Sequence, residues 1–272
     1  MAYNHWSLDD IPWERFDSSK LDADLVKVVK AASIVEYNGG DYAAYLCNVF
    51  DGDADFQAAA KSWAAEEVQH GEALGRWAGM ADPGFDFASS FKRFTEGYSL
   101  PLDATASVRG SRAGELVARC IVEVGTSSYY SALAAASQEP VLKEICRRVA
   151  ADEFRHYKLF YKHLKRYLEI EDFSKLRRIR VALGRIGESE DDELAYAYYA
   201  ANGGAGEPYE RKRWSRAYTA RALSYYRPAH VERGIAMTFK AAGLAPRGQL
   251  ARWTSRGAYW LMRSRQRRAA RP

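Results

Sequence analysis

Cysteine is scarce in this sequence of 272 residues, which contains only Cys47, Cys120 and Cys146. The three lie far apart and form no CxxC pair, so the sequence excludes a disulfide scaffold, a zinc ribbon and a rubredoxin module. We interpret them as free thiols in a reducing compartment. Long apolar runs are missing too: the longest uncharged stretches, 125–138 and 194–206, are shorter than the roughly 20 apolar residues of a membrane-spanning helix.

The N-terminal residues do not form a basic segment followed by an apolar run, so we expect no secretory signal. A cytoplasmic location is predicted, with peripheral attachment to a membrane as the alternative. The arm at residues 1–20 carries Trp6 and Trp13. Large aromatic side chains gain by burial, so we expect this arm to pack against the body of the protein.

Glycine and proline are also rare between Leu21 and Ile170, where alanine is abundant. This composition favours helices, and we predict an all-α protein. It would comprise the N-terminal arm, a helical bundle at 21–204 and a basic helical C-terminal region at 205–272. The predicted helices span 21–50, 56–80, 114–137, 140–170, 174–200, 211–226, 229–242 and 249–268. A loose connection is predicted from 81 to 113, and an interruption of the fifth helix near Gly184–Gly187.

Acidic residues are nearly absent from the C-terminal region, although the whole chain has a net charge of only +5. Residues 205–272 contain sixteen Arg or Lys and three Glu, a balance of +13, so the other 204 residues carry −8. In the segment 247–272, Leu250, Trp253, Trp260 and Leu261 recur at helical spacing among arginines. Such a helix suits an anionic membrane surface, an acidic carrier protein or an acidic electron donor. Alternatively, its aromatic stripe packs on the body.

Nucleic-acid binding is not expected, because no helix-turn-helix, zinc-finger or RNP-like motif accompanies these arginines. The body of the chain is also acidic, which disfavours contact with a polyanion.

Histidine is rare as well, yet two of the five histidines stand three residues after a glutamate. Residues three apart lie on one helix face. A further glutamate stands in a small, apolar run 31 residues before the first Glu-x-x-His pair and 30 residues before the second, and the two copies are offset by 86 or 87 residues. This spacing indicates an internal duplication of a helix pair. The six residues are Glu36, Glu67, His70, Glu123, Glu153 and His156.

This set of ligands is typical of ferritin-like four-helix bundles that hold two iron or two manganese ions. Four carboxylates and two neutral imidazoles balance the charge of two divalent ions, and the absence of thiolates disfavours structural zinc. We therefore predict a ferritin-like four-helix bundle with additional C-terminal helices and a site for two iron ions, with manganese as the alternative. Glu66 and Asp152, which precede the two pairs, are predicted to hold the second nitrogen of a ligand histidine.

The segments SWAAEEVQHGEAL (62–74) and AADEFRHYKLFYKHLKR (150–166) resemble the two iron-ligand helices of the soluble acyl carrier protein desaturases. Glu123 followed by Thr126 matches a Glu-x-x-Thr pattern of that family, and Trp63 matches its Trp before the first Glu-Glu-x-x-His. The resemblance covers about residues 25–170.

By this resemblance, Glu36 and His70 would bind one iron, Glu123 and His156 would bind the other, and Glu67 and Glu153 would bridge them. Thr126 would lie beside the oxygen site, and Trp63 and Asp152 are further candidate catalytic residues. A homodimer is also implied by the resemblance.

The leading hypothesis is an oxygen-dependent di-iron desaturase or hydroxylase that acts on an acyl chain or another lipid, free or on acyl carrier protein. Its electrons would come from a ferredoxin-like protein or a flavoprotein. The alternatives are a quinone-precursor hydroxylase at the membrane surface, and a ferritin-like or rubrerythrin-like protein that stores iron or removes peroxide. A radical-generating reductase subunit is a third alternative, with Tyr37 and Tyr130 as candidate tyrosines.

Overall fold

The computed structural model of the chain describes residues 5–188, 192–204 and 206–271. In these ranges all regular structure is helical, and the predicted all-α class is confirmed. The helices are α1 (Ala23–Tyr37), α2 (Gly39–Val49), α3 (Ala54–Ala81), α4 (Phe87–Gly97), α5 (Arg112–Ala136), α6 (Pro140–Ile170), α7 (Lys175–Glu188), α8 (Asp192–Asn202), α9 (Arg211–Ala222), α10 (Pro228–Ala241) and α11 (Gln249–Ala269). Within the described part of the chain, none of them is long and apolar enough to cross a membrane.

Acidic and hydroxyl side chains cap the N-termini of the long helices. Asp53 accepts a hydrogen bond from the backbone N–H of Phe56 at the start of α3. Ser111 caps α5 in the same way. At the start of α6, Glu139 accepts from two backbone N–H groups, and Pro140 occupies the first helical position. These contacts satisfy backbone donors that have no partner inside the helix, so they fix where each helix begins.

The predicted first helix is divided in two at Asn38, which lies between the end of α1 and the start of α2. The reason is a very close approach to α3. A Cβ atom on Gly71 would lie 2.5 Å from the backbone nitrogen of Tyr37, and one on Gly39 would lie 2.7 Å from the Cβ of Glu67. Glycine also has the lowest helix propensity of any residue except proline. The expectation of one continuous helix over 21–50 was wrong.

Two further boundaries differ from the sequence-based expectation. The loose connection at 81–113 contains α4, which Asp86 caps and whose Phe94 is fully buried. The helix has only eleven residues and lies between Gly84 and Pro101 in the sequence. Such turn-forming residues predict a loop, so the short helical pattern between them was missed. Gly184 and Gly187 lie inside α7, so the predicted interruption near these glycines was wrong. The rest of the predicted fifth helix includes 189–191, which lie outside the described residues.

Four long segments form the body: α1 with α2, α3, α5 and α6. α1 and α2 pack on α3, α5 packs along α6, and α3 contacts α6. The apolar residues between them form two clusters, one around Trp77 and Leu133 and one around Phe56 and Phe160. The remaining helices cover this body, since α8 packs on α1 and α4, and α10 packs on α5.

The N-terminal arm lies against the body, as its tryptophans predict. Trp6 and Ile11 are buried. The indole N–H of Trp13 donates to the carbonyl of Leu8, and the guanidinium of Arg76 lies 4.1 Å from the centre of the Trp13 ring. These contacts fix the arm on the outer side of α3 and α6, next to the polar cluster between them.

Candidate metal centre

Each long segment of the body contributes to one buried polar cluster. Glu36 comes from α1, Glu67 and His70 from α3, Glu123 from α5, and Glu153 and His156 from α6. All six side chains are buried. The structure thus brings together the six residues that the sequence predicts as metal ligands; their binding of metal remains a prediction.

The cluster consists of two overlapping groups of four residues, and within each group the potential ligand atoms all lie within 4.8 Å of one another. The two groups share two carboxylates, those of Glu67 and Glu153. The first group is completed by Glu36 and His70, and the second by Glu123 and His156. Two positions that share two carboxylates are the arrangement needed to hold two cations side by side.

Both histidines turn the same nitrogen toward this centre. The Nδ1 of His70 lies 3.4 Å from Glu67 Oε2 and 3.3 Å from Glu153 Oε1. The Nδ1 of His156 lies 3.1 Å from Glu67 Oε1 and 3.6 Å from Glu123 Oε2. Glu153 Oε2 lies 3.8 Å from His156 Nδ1. Each shared glutamate therefore presents one oxygen to each histidine's side of the site, which suits a bridging role.

The second nitrogen of each histidine faces the acidic residue of the opposite helix. His70 Nε2 lies 3.0 Å from Asp152 Oδ2, and His156 Nε2 lies 3.2 Å from Glu66 Oε2. Such outer contacts hold an imidazole ring in one orientation and one tautomer. The two acids that precede the Glu-x-x-His pairs thus act across the bundle, each on the other pair's histidine.

Two residues that the sequence analysis did not place at the site support these acids. Trp6 donates its indole N–H to Asp152 Oδ2 at 2.7 Å, and its ring stacks on that of His70. Arg155 donates to Asp152 with one terminal nitrogen and to Glu66 with the other. Arg155 therefore couples the two outer acids, and its position inside the second Glu-x-x-His pair was the one sequence signal available.

The remaining predicted site residues also border the cluster. Thr126 donates its hydroxyl to Glu153 Oε2 at 2.6 Å. Trp63 is buried and stands edge-on to the His156 ring. Tyr130, one of the two candidate tyrosines, donates its hydroxyl to Glu36 Oε1. In contrast, His163 lies outside both groups, where its Nδ1 is 3.1 Å from Arg166.

Burial and mutual contacts shift the pKa values of the four glutamates in opposite directions. Burial, reinforced by the nearby charge of Glu67, raises the pKa of Glu36 well above its usual range. Burial likewise raises the pKa of Glu123. Burial opposes ionisation of Glu67 and Glu153 too. A hydrogen bond from Glu36 and contacts with both histidines outweigh burial at Glu67, and contacts with the histidines outweigh it at Glu153, so both pKa values lie below the usual range.

The two histidines hold protons more tightly than usual. Burial alone would lower their pKa values, but the surrounding carboxylates outweigh that effect. Contacts with Asp152 and Glu153 raise the pKa of His70, and contacts with Glu123 and Glu153 raise the pKa of His156. Glu36, Glu123 and both imidazole rings therefore hold their protons more tightly than these groups usually do.

Several atoms that point into the cluster lack a hydrogen-bond partner in the described part of the chain. They are His70 Nδ1, His156 Nδ1, both carboxyl oxygens of Glu123 and Glu153 Oε1. A buried polar atom without a partner costs about 1–3 kcal/mol. Here the unpartnered atoms belong to the residues of the two overlapping groups, and they are carboxylate and imidazole donors. This donor set suits iron or manganese, so the residues present fit a pair of such ions.

One side of the cluster approaches the surface. Thr126 and Val122 are partly exposed on α5, and Gly125 between them is exposed. No atom lies within 4 Å of where a Cβ on Gly125 would sit, and the same is true of Gly40 on α2. Gly39, by comparison, is required for the close packing on Glu67. Of the cluster's neighbours on α5, Thr126 is thus one that is partly exposed at the surface.

No protein-family model matches this chain, and no curated protein does either. Fold and site define the class of molecule: a helical bundle with a buried carboxylate–histidine cluster that could bind metal.

Proposed function

We propose that this chain is an oxygen-dependent di-iron oxidoreductase, a desaturase or hydroxylase, that acts on an acyl chain or another lipid with electrons from an external donor. The bundle would then be ferritin-like. The observation that carries the proposal is the pair of overlapping four-residue groups with Glu67 and Glu153 in common. Two ferrous ions bound there would supply electrons and an open coordination position to dioxygen.

In this proposal the ligands are divided as the two groups suggest. Glu36 and His70 would hold one ion, Glu123 and His156 the other, and Glu67 and Glu153 both. The outer acids Asp152 and Glu66 keep the imidazole rings oriented with Nδ1 toward the ions. This support fixes the geometry of the site before substrate arrives, which is the main contribution of a protein to metal-based oxidation.

In this proposal Thr126 relays a proton between the surface and the cluster. Its hydroxyl donates a hydrogen bond to Glu153 Oε2, and its side chain is partly exposed. From there Oγ1 can hold a proton between Glu153 and a molecule that enters from the surface. Trp63 and Phe160 pack against each other beside His156 and exclude water from the opposite side.

Gly125 supports substrate access on the Thr126 side. An exposed glycine in the middle of a helix is less favourable than alanine by about 1 kcal/mol. No neighbouring atom requires a glycine here, so packing does not account for it. A bare backbone next to Thr126 leaves room for a chain to lie along α5 close to the cluster.

The test is oxygen uptake by anaerobically iron-loaded protein, supplied with NADPH as the electron source, ferredoxin, ferredoxin reductase and either acyl carrier protein esters or extracted lipid. We expect uptake that depends on substrate, with a product that has lost two hydrogens or gained one oxygen by mass spectrometry. Glu123→Gln should abolish it. Glu115→Gln is the matched control, because Glu115 is also buried on α5 but accepts hydrogen bonds from Tyr45 and Ser107, outside the cluster.

The outcome that contradicts the proposal is iron-loaded protein that consumes no oxygen beyond the oxidation of its own iron with any of these lipids. If that protein instead accumulates tens of irons per chain, the cluster serves iron storage. Substrate-dependent uptake that is equal in Glu123→Gln and wild type would place the chemistry elsewhere in the chain.

A further inference from the structure

Helix α11 presents an apolar stripe to solvent. The exposed fractions are 63% for Leu250, 67% for Trp253, 70% for Trp260 and 46% for Leu261. On an ideal helix these four side chains fall within about 100° of arc, because successive residues are rotated by about 100°. Contiguous exposed apolar patches of this kind mark interaction sites.

The opposite face of α11 makes the contacts with the rest of the protein. Ala251 and Ser255 are buried, and α11 packs on α9 and α10. The alternative that the aromatic stripe packs on the body is therefore wrong. Small residues seat the helix closely on its neighbours and leave both tryptophans on the outside.

The charge around the stripe has a single sign. Residues 233–272 contain no Asp or Glu, and the segment from Arg247 onward contains eight arginines. On the helix, Arg256 and Arg267 fall on one flank of the stripe and Arg265 on the other. The guanidinium of Arg256 lies over the Trp253 ring, 5.7 Å from its centre. The surface is thus a ridge of tryptophan and leucine bordered by guanidinium groups.

Helix α7 adds a second surface of the same kind. Leu176 and Leu183 are 78% and 65% exposed, and the helix carries one lysine and four arginines over 175–185. The guanidinium of Arg178 would lie 2.6 Å from a Cβ on Gly243, in the turn that leads from α10 to α11. This contact places α7 beside the connection that leads into α11.

We propose that α11, with α7 beside its leading connection, docks the protein on an anionic lipid bilayer. A helix that lies in the membrane interface buries an apolar stripe of Trp and Leu and keeps arginines at the level of the headgroups. A bilayer accepts a convex ridge without a matching groove and supplies negative charge on both flanks of it. Trp is also the residue that concentrates at this interface.

The experiment is co-sedimentation of the full chain with large unilamellar vesicles. One set contains phosphatidylcholine alone, and the other contains phosphatidylcholine with phosphatidylglycerol. We expect binding to the anionic set that weakens with salt and is at least tenfold weaker with the neutral set. Trp253→Ser with Trp260→Ser should weaken binding at least tenfold. The matched control is Val108→Ser, since Val108 is 67% exposed but lies in the connection between α4 and α5.

A second variant separates charge from apolar insertion. Replacing Arg252, Arg256 and Arg263 by Gln should weaken binding to anionic vesicles about a hundredfold, since each arginine near such a surface contributes about fivefold. Replacing the same residues by Lys should preserve it. Circular dichroism and elution volume show whether each variant keeps its fold and its oligomeric state.

Three outcomes would overturn the proposal. The first is no sedimentation of wild-type protein with anionic vesicles. The second is undiminished binding by the folded double tryptophan variant, which would show charge attraction without insertion. The third is a shift from dimer to monomer in that variant, which would assign the stripe to a contact between two copies of the chain.

Discussion

Metal binding should release protons from the cluster. The pKa values of Glu36, Glu123 and both histidines are raised, and those of Glu67 and Glu153 are lowered. The four groups with raised pKa values hold their protons more tightly than usual in the metal-free protein. A ligand must lose its proton to bind a metal ion, so loading the cluster with two divalent ions should release protons.

The assay is isothermal titration calorimetry of metal-free protein with ferrous iron under anaerobic conditions, in several buffers of different ionisation enthalpy. The dependence of the observed enthalpy on the buffer gives the number of protons released. Release of protons also means that the affinity for the metal ions rises with pH. Glu123→Gln should release fewer protons than wild-type protein, and the control Glu115→Gln should release as many as wild type.

Metal loading without any release of protons would contradict this expectation. Such a result would show that the ligands are already deprotonated in the metal-free protein.

Three further predictions concern stability and access. Trp6→Phe removes the indole that donates to buried Asp152 and should lower the free energy of unfolding by about 1–3 kcal/mol in urea titrations. An equal loss in Trp253→Phe, on the exposed ridge, would contradict this. Gly125→Ala should raise stability by about 1 kcal/mol, whereas Gly125→Leu should reduce substrate-dependent oxygen uptake without changing iron content; unchanged uptake would remove Gly125 from the access route. Because the pKa values of His70 and His156 are raised on folding, the stabilisation they give is complete below about pH 6.5 and is lost as pH rises through their folded pKa values. The melting temperature of metal-free protein should therefore fall from pH 7 to pH 9 while that of loaded protein does not, and parallel curves would contradict the assignment.

The six residues of the cluster were predictable from the sequence, because a glutamate followed by a Glu-x-x-His pair occurs twice at nearly the same spacing. Each Glu-x-x-His pair lies on one face of one helix, and the spacing to the upstream glutamate equals a helix, a turn and part of a second helix. The support from Trp6 was not predictable, since that residue lies 146 positions from Asp152. No local pattern encodes a contact between an irregular arm and a distant helix.

The orientation of α11 shows a different limit of sequence patterns. The helix has one stripe of large apolar residues and another of small ones such as Ala251 and Ser255. Hydrophobicity alone favours burial of Trp253 and Trp260, yet close helix packing needs small side chains. The buried stripe is the one that fits its neighbours. The break at Asn38 has the same origin, because it depends on how closely Gly71 lets α3 approach.

Binding of two metal ions by the six side chains of the cluster can be measured as iron per chain after anaerobic ferrous loading and desalting. We expect saturation at two irons in wild-type protein and a clear loss in Glu67→Ala, which removes a carboxylate common to both four-residue groups. Less than one iron per wild-type chain, or a content in the tens, would contradict that expectation.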